Sequence, residues 1–179
     1  MAVIEIREEC EEDFQEVRQV IVVAGGKNPG DEDAAADLVE LLRERNKALI
    51  SLVAVSSNKV VGHIMFSPVT VEVAPKDLFA VALAPLMVRP EYQRQGIGSM
   101  LVREGLNECT KAGYDMVVVL GHSEYYPRFG FTQASDYGLG RDSRISADPN
   151  YMVLGLKNGV LDEVSGVVQF APEFKETGC

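Results

Sequence analysis

The stretch Arg89-Pro90-Glu91-Tyr92-Gln93-Arg94-Gln95-Gly96-Ile97-Gly98-Ser99-Met100-Leu101 joins two kinds of sequence. Ahead of it, Phe79 to Val88 is nearly all apolar and reads as a strand buried on both faces. Behind it, Ile97, Leu101 and Cys109 recur at helical spacing over about Gly96 to Ala112, and Gly113 ends that helix. Pro90 stops the strand, because its ring removes a ladder donor and restricts Arg89 before it. A strand therefore runs through a glycine-bearing turn into a helix N-terminus, where backbone N–H groups lack internal partners and the dipole is positive. Gly96 and Gly98 remove side chains where an anion would approach, and Arg94 adds a mobile positive charge. The pattern reads as a pyrophosphate cradle. The plainer alternative is a tight turn at Gly96 and close helix–sheet packing at Gly98.

Working outward, a short strand near Val3 to Arg7 leads into a helix over Glu11 to Val23, with Phe14, Val17, Val20 and Ile21 at helical spacing and Asp13 as its cap. Gly25-Gly26-Lys27-Asn28-Pro29-Gly30 reads as a loop, and Asp33 to Arg45 as a second helix with Ala36, Leu38, Val39 and Leu42 on one side. Leu49 to Val55 and Val60 to Val73, joined at Ser56-Ser57-Asn58-Lys59, form a β-hairpin pattern. Beyond the central helix come a buried strand over Asp115 to Gly121, a helical turn from Glu124 to Phe129 and a polar loop over Ala134 to Asn150. Two strands follow, near Tyr151 to Leu156 and Gly166 to Phe170. The order β-α-α-β-β-β-α-β-α-β-β predicts an α/β (α+β) fold, a mixed sheet covered by helices.

The chain has 179 residues, 46% hydrophobic and 25% charged, which fits one globular domain and excludes wholesale disorder. Seventeen basic against 27 acidic side chains leave a net charge of −10, a field that repels nucleic acid and anionic membranes and tolerates a cationic amine. Cys10, Cys109 and Cys179 are far apart and show no metal-ligand or disulfide spacing; Cys109 reads as core. The N-terminus carries acids where a signal peptide needs bases, and Leu78 to Val88 is too short to span a bilayer. The expectation is a cytoplasmic protein with no metal.

Two nucleotide motifs fail. A Rossmann fingerprint needs glycine or alanine where Leu101 stands. A P-loop ending at Gly26-Lys27 needs glycine at Ile21 and serine or threonine at Asn28. Gln93-x-x-Gly96-x-Gly98, straight after an apolar strand ending Val88-Arg89-Pro90, instead resembles the signature loop of the GNAT superfamily of N-acetyltransferases. The resemblance extends to Tyr125-Tyr126-Pro127-Arg128-Phe129-Gly130-Phe131, which is similar to the family's aromatic segment with Tyr125 in place of a phenylalanine. It covers about residues 3 to 156. The later stretch Val168-Gln169-Phe170-Ala171-Pro172-Glu173-Phe174 resembles the tail of a subgroup of small bacterial predicted acetyltransferases.

The resemblance implies a mostly antiparallel sheet of about seven strands with splayed central strands, within a single domain over residues 1–179 whose core is 3–156 and whose C-terminal strand region is 157–179. It implies acetyl-coenzyme A as cosubstrate. Main-chain contacts to the pantetheine arm would come from Leu86, Met87 and Val88, with Pro85 near the opening of the wedge. The pyrophosphate would sit on the loop Gln93, Arg94, Gln95, Gly96, Ile97, Gly98 and Ser99. Tyr126 matches the tyrosine beside the thioester sulfur, as general acid or as a hydrogen-bonding and packing group. Many members carry an asparagine ahead of the aromatic segment; Val119-Leu120-Gly121-His122-Ser123 has none, so either Ser123 supplies that hydrogen bond to the cofactor or the contact is missing.

An acceptor ammonium must lose a proton before it attacks, through a carboxylate, an imidazole or water. Glu72, His63, His122, Glu124 and Glu91 are the candidates, with His63 reading as structural and His122 as the best placed. By the resemblance, Gly25 to Asp33 and Ala134 to Asn150 enclose the acceptor, and late strands can pair in a homodimer. Two functions stay open: acetyl transfer to a primary amine of a small molecule or peptide in a ternary complex, or a non-catalytic acyl-coenzyme A sensor. Acyl chain length is open as well.

Overall fold

The computed structural model describes residues 2–25, 30–141 and 147–179. Along the chain the elements are β1 (Ile4–Glu8), α1 (Phe14–Ala24), α2 (Asp31–Glu44), β2 (Ile50–Ser56), β3 (Lys59–Val73), β4 (Ala80–Val88) and α3 (Ile97–Lys111). They continue with β5 (Met116–Leu120), β6 (Thr132–Gln133), β7 (Leu139–Gly140), β8 (Tyr151–Gly155), β9 (Ser165–Phe170) and α4 (Glu173–Glu176). The fold is mixed α/β, its sheet mostly antiparallel and flanked by helices. Seven of the strands have five residues or more, and the other two have two each.

The chain divides into two compact units, and β3 and β4 contribute to both. The first holds residues 1–66, 85–108 and 172–179. Its strands run β1-β2-β3-β4, and the hairpin β2–β3 turns on Ser57 and Asn58, both left-handed at φ 47° and 63°. Two positive φ values in a two-residue loop match the right-handed twist of the flanking strands. The periodicity that marks α1 and α2 is the buried stripe Val17, Val20, Ile21, Ala36, Val39 and Leu42. Helix α3 lies close against β3: a β-carbon at Gly62 would meet Leu101 at 3.0 Å, and one at Gly105 would fall 2.5 Å from the Phe66 ring. Gly105 is glycine because the aromatic ring occupies that space.

The second unit holds residues 67–84 and 109–171. Here β9, β3, β4, β5, β8 and β6 are neighbours in turn, and β7 adds to β9. Val69, Ala82, Met116, Val118, Val153 and Val168 form its core. Asp115 ties two segments together, accepting from Phe79 N–H at 2.7 Å and pairing with Lys157 at 2.5 Å.

Five expectations need correction. The helix over Glu11 to Val23 begins as a separate 3-10 turn, Glu11–Asp13, and Asp13, though it stands at the N-cap position of α1, makes no side-chain capping bond there. Its carboxylate instead accepts from Cys10 N–H (2.9 Å) and pairs with Arg7. Phe14 lies 37% exposed, with the Arg43 guanidinium over its ring, so it is not part of the buried stripe. β4 is buried over Ala80–Leu83, but Leu86, Met87 and Val88 are only half-buried. The polar loop expected over Ala134 to Asn150 contains a 3-10 turn, Ala134–Tyr137, and strand β7; its residues 142–146, with Asp142 and Arg144, lie outside the described residues. The C-terminal strand region adds a 3-10 turn, Val160–Glu163, and the short helix α4 to its strand.

Candidate functional site

The signature loop lies in the first unit. Arg89 N–H donates to the Val61 carbonyl (2.8 Å), and its Nε to that of Val60 (3.0 Å), which clamps the end of β4 to β3. Backbone groups alternate in direction along a strand, so Met87 shares Arg89's side while those of Leu86 and Val88 turn to the opposite edge. Within the second unit, β4 pairs with β5 over Ala80–Ala82. Gln93 Nε2 donates to the Val88 carbonyl at 2.9 Å, so this side chain fixes the loop to the strand it leaves.

After a 3-10 turn at Pro90–Tyr92, the backbone enters the left-handed region at Arg94 (φ 59°) and again at Gly96 (φ 85°). A β-carbon costs about 1–2 kcal/mol in that region, so Arg94 stores strain at this turn. Residues 93–96 are exposed, and alternation of hand along such a turn points successive amides into one concavity. Met100 N–H donates to the Gly96 carbonyl (3.0 Å), which leaves the amides of Ile97 and Gly98 ahead of the first helical bond. The arrangement suits a doubly charged oxyanion.

The aromatic segment lies in the second unit. β5 ends at Leu120, and Gly121 N–H donates to the Asn150 carbonyl (2.9 Å). A turn at His122 leads into a 3-10 helix, Tyr126–Phe129, closed by Gly130 at φ 97°. Tyr126 is buried, edge-on to Tyr125 (5.1 Å) and to Phe131 (5.7 Å). Burial, with a smaller contribution from Tyr125, holds its phenol well above the usual range, so it stays a proton donor. Tyr125 packs edge-on against Phe129 (5.3 Å), as a packing residue would. His122, Ser123, Glu124, Tyr125, Arg128 and Asn150 line an open cleft of about 390 Å³.

The base candidates separate. His63 is fully buried, and its Nε2 lies 2.9 Å from Ser51 Oγ, whose one proton goes to Glu9 (2.8 Å). Nε2 therefore donates to Ser51 Oγ. Burial and the charge of Arg43 push the His63 pKa down to about 3, which removes it as a base near neutrality. Glu72 accepts from Val167 N–H (2.8 Å) beside the bulge where β3 pairs with β9. Glu91 is exposed on the 3-10 turn. His122 and Glu124 are brought together at the cleft. Sequence reasoning missed Arg128 and Asn150 there, although Arg128 stands three places after Tyr125 inside the aromatic segment. Asn150 brings an asparagine to the end of β5, where the local sequence has none.

Among the described residues no group of three or more histidine, cysteine or acidic side chains could hold a metal ion, and no helix is long and apolar enough to cross a membrane.

Residues 5–134 match the acetyltransferase (GNAT) domain family. The chain belongs to the GNAT family of acetyltransferases. It is 38% identical over 143 residues to the uncharacterized N-acetyltransferase YhbS of Escherichia coli K12, covering 79% of this chain and 84% of that one. The crystal structure of E. coli YhbS in complex with CoA superposes with a TM-score of 0.87 at 33% identity, over 98% of this chain and 93% of the other. A Brucella melitensis GNAT acetyltransferase in complex with acetyl-CoA gives 0.79 at 32%, over 96% and 98%.

Proposed function

We propose that the whole chain is one catalytic domain that transfers the acetyl group of acetyl-CoA to a primary amine by direct attack in a ternary complex. The observation that carries this reading is the turn at Arg94 and Gly96, twice left-handed and opening into the N-terminus of α3. The pyrophosphate is assigned to the amides from Arg94 to Ser99, with Gln93 holding the loop in shape. The pantetheine amides are assigned to the outward edge of β4, where Leu86 and Val88 supply main-chain groups and Met87 is turned to β3. The CoA complexes of the YhbS and Brucella relatives support the choice of ligand.

In the transfer, the amine nitrogen bonds to the thioester carbon, the C–S bond of the tetrahedral intermediate breaks, and the leaving sulfur takes a proton. Tyr126 is the assigned donor, since its buried phenol keeps its proton at neutral pH. The ammonium proton leaves through His122, exposed at the cleft, and solvent. Ser123, on the same turn, is assigned to a cofactor hydrogen bond. The expected place of action is the cytoplasm.

Calorimetric titration of acetyl-CoA and CoA, with release of free thiol followed over a mixed amine panel, tests the reading. Binding with thiol release that depends on an amine supports the transferase. Tight binding with no turnover on any amine or longer acyl donor replaces it with an acyl-CoA sensor, and no binding of either ligand sinks both.

A further inference from the structure

Arg128 is a fixed cation in a chain rich in acids. The protein has 27 acidic side chains to 17 basic, and Arg7, Arg18, Arg43, Arg45 and Arg141 each pair with a carboxylate. Arg128 is held differently. Its Nε donates to the Tyr125 carbonyl at 2.9 Å, and its guanidinium carbon lies 4.4 Å from the centroid of the Tyr125 ring. Among the described residues no carboxylate forms an ion pair with it. Bond and stack orient the plane of the fork, and its two terminal nitrogens are left out of both. A pre-oriented fork loses little entropy when it takes a bidentate oxyanion.

The surroundings match that chemistry. The cleft of about 390 Å³ has room for a small group, and its walls bring a hydroxyl (Ser123), an amide (Asn150) and an imidazole (His122) beside the guanidinium. Among the described residues Glu124 is the one acid on the wall, so it disfavours a bare anion and favours one that carries donors of its own.

We propose that this cleft is an oxyanion-binding site, with Arg128 as its binding residue, for the phosphomonoester or carboxylate of a molecule that takes part in the transfer. The identity of those participants rests on the transferase reading; the anion chemistry rests on the cleft. Two sources fit: the 3′-phosphate of the cofactor and the carboxylate of an amino-acid-like acceptor.

The chain has two histidines, so imidazole NMR signals resolve into buried His63 and His122 on the cleft wall. CoA, 3′-dephospho-CoA, alanine and alaninamide are titrated into the wild type, Arg128→Gln and Arg128→Lys, by NMR and calorimetry. If the phosphate is the ligand, Arg128→Gln weakens CoA about tenfold and leaves dephospho-CoA unchanged. CoA then displaces the His122 signal of the wild type more than dephospho-CoA does. If the carboxylate is the ligand, alanine moves the His122 signal, alaninamide does not, and Arg128→Gln abolishes the response. In either case Arg128→Lys retains part of the effect. The proposal is overturned if Arg128→Gln changes neither the ratio of CoA to dephospho-CoA affinity nor any displacement of His122. Failure of the wild type to bind either cofactor form sinks the transferase reading instead, and the alanine arm still decides the cleft.

Discussion

The Tyr126 ring rests on the α-carbon of Gly121, so closely that a β-carbon at Gly121 would fall 2.4 Å from ring atom Cε2. No real contact is that short, and the ring is edge-on to Tyr125 and Phe131 as well. Gly121→Ala therefore has to displace the ring or the end of β5. Overpacking of this kind costs about 1–3 kcal/mol. The variant is expected to lose that much stability in urea and to lose turnover more than cofactor affinity, measured by thiol release against calorimetric binding. Wild-type turnover with a measurably reduced stability would remove Tyr126 from the chemistry.

Tyr126→Phe takes away the donor and keeps the ring. If the phenol protonates the leaving sulfur, kcat falls on the order of a hundredfold while the affinity for acetyl-CoA stays within about twofold. The pH profile adds a second check. Burial raises the Tyr126 pKa above its ordinary value near 10, so the donor form persists throughout neutral and mildly alkaline solution. Any fall of activity with a midpoint below about pH 10 therefore belongs to another group, and Tyr126→Phe leaves that midpoint where it was. Loss of affinity in proportion to kcat would assign the hydroxyl to binding.

What was legible in the sequence was local. The signature loop could be read because strand, proline, glycines and helix follow one another within thirteen residues. The hairpin could be read because runs of β-branched and apolar residues lie on both sides of Ser56-Ser57-Asn58-Lys59. Other features depend on distant partners. Leu139–Gly140 is a strand only because β9 lies beside it, and two residues carry no period. Phe14 has the spacing of a core residue but is covered by Arg43, 29 residues later, rather than by apolar neighbours. Glu72 reads as a free acid until Gly166, left-handed at φ 89°, brings Val167 N–H to it. The same holds for the cleft: Arg128 is visible in the sequence, yet Asn150 reaches it through the pairing of β8 with β5 and the bond to Gly121.

His63 predicts a response to acid. Its pKa is pushed down to about 3 in the folded protein, against about 6.5 for a free imidazole. Between those values the unfolded chain binds a proton that the folded chain refuses, so stability is complete above pH 6.5 and is lost as pH falls toward 3. From pH 7 to pH 5 this amounts to about 2 kcal/mol for one histidine. Groups facing the ring are Ser51 on β2, Glu9 beyond β1 and Arg43 on α2. Urea melts at both pH values measure the loss, and His63→Gln should flatten it while lowering stability at pH 7 for want of the Ser51 contact. An unchanged slope in the variant would assign the acid response to the carboxylates.

Glu173 is fully out of solvent on the four-residue helix α4. Burial alone would raise its pKa, but Lys47 Nζ at 2.8 and 3.0 Å and Arg45 at 3.1 Å reverse the balance, and the net shift is downward. Folded-state stabilisation from this carboxylate is thus present above its unfolded pKa and declines as pH falls through the folded one. A buried carboxylate stripped of a partner is worse than no carboxylate at all. Lys47→Met leaves Glu173 with Arg45 alone and is expected to cost about 2–3 kcal/mol at pH 7. The double variant Lys47→Met, Glu173→Leu removes the charge as well and should recover a large part of that loss. Equal instability of the single and double variants in urea would mean that α4 is held by the packing of Phe174 and not by its ion pairs.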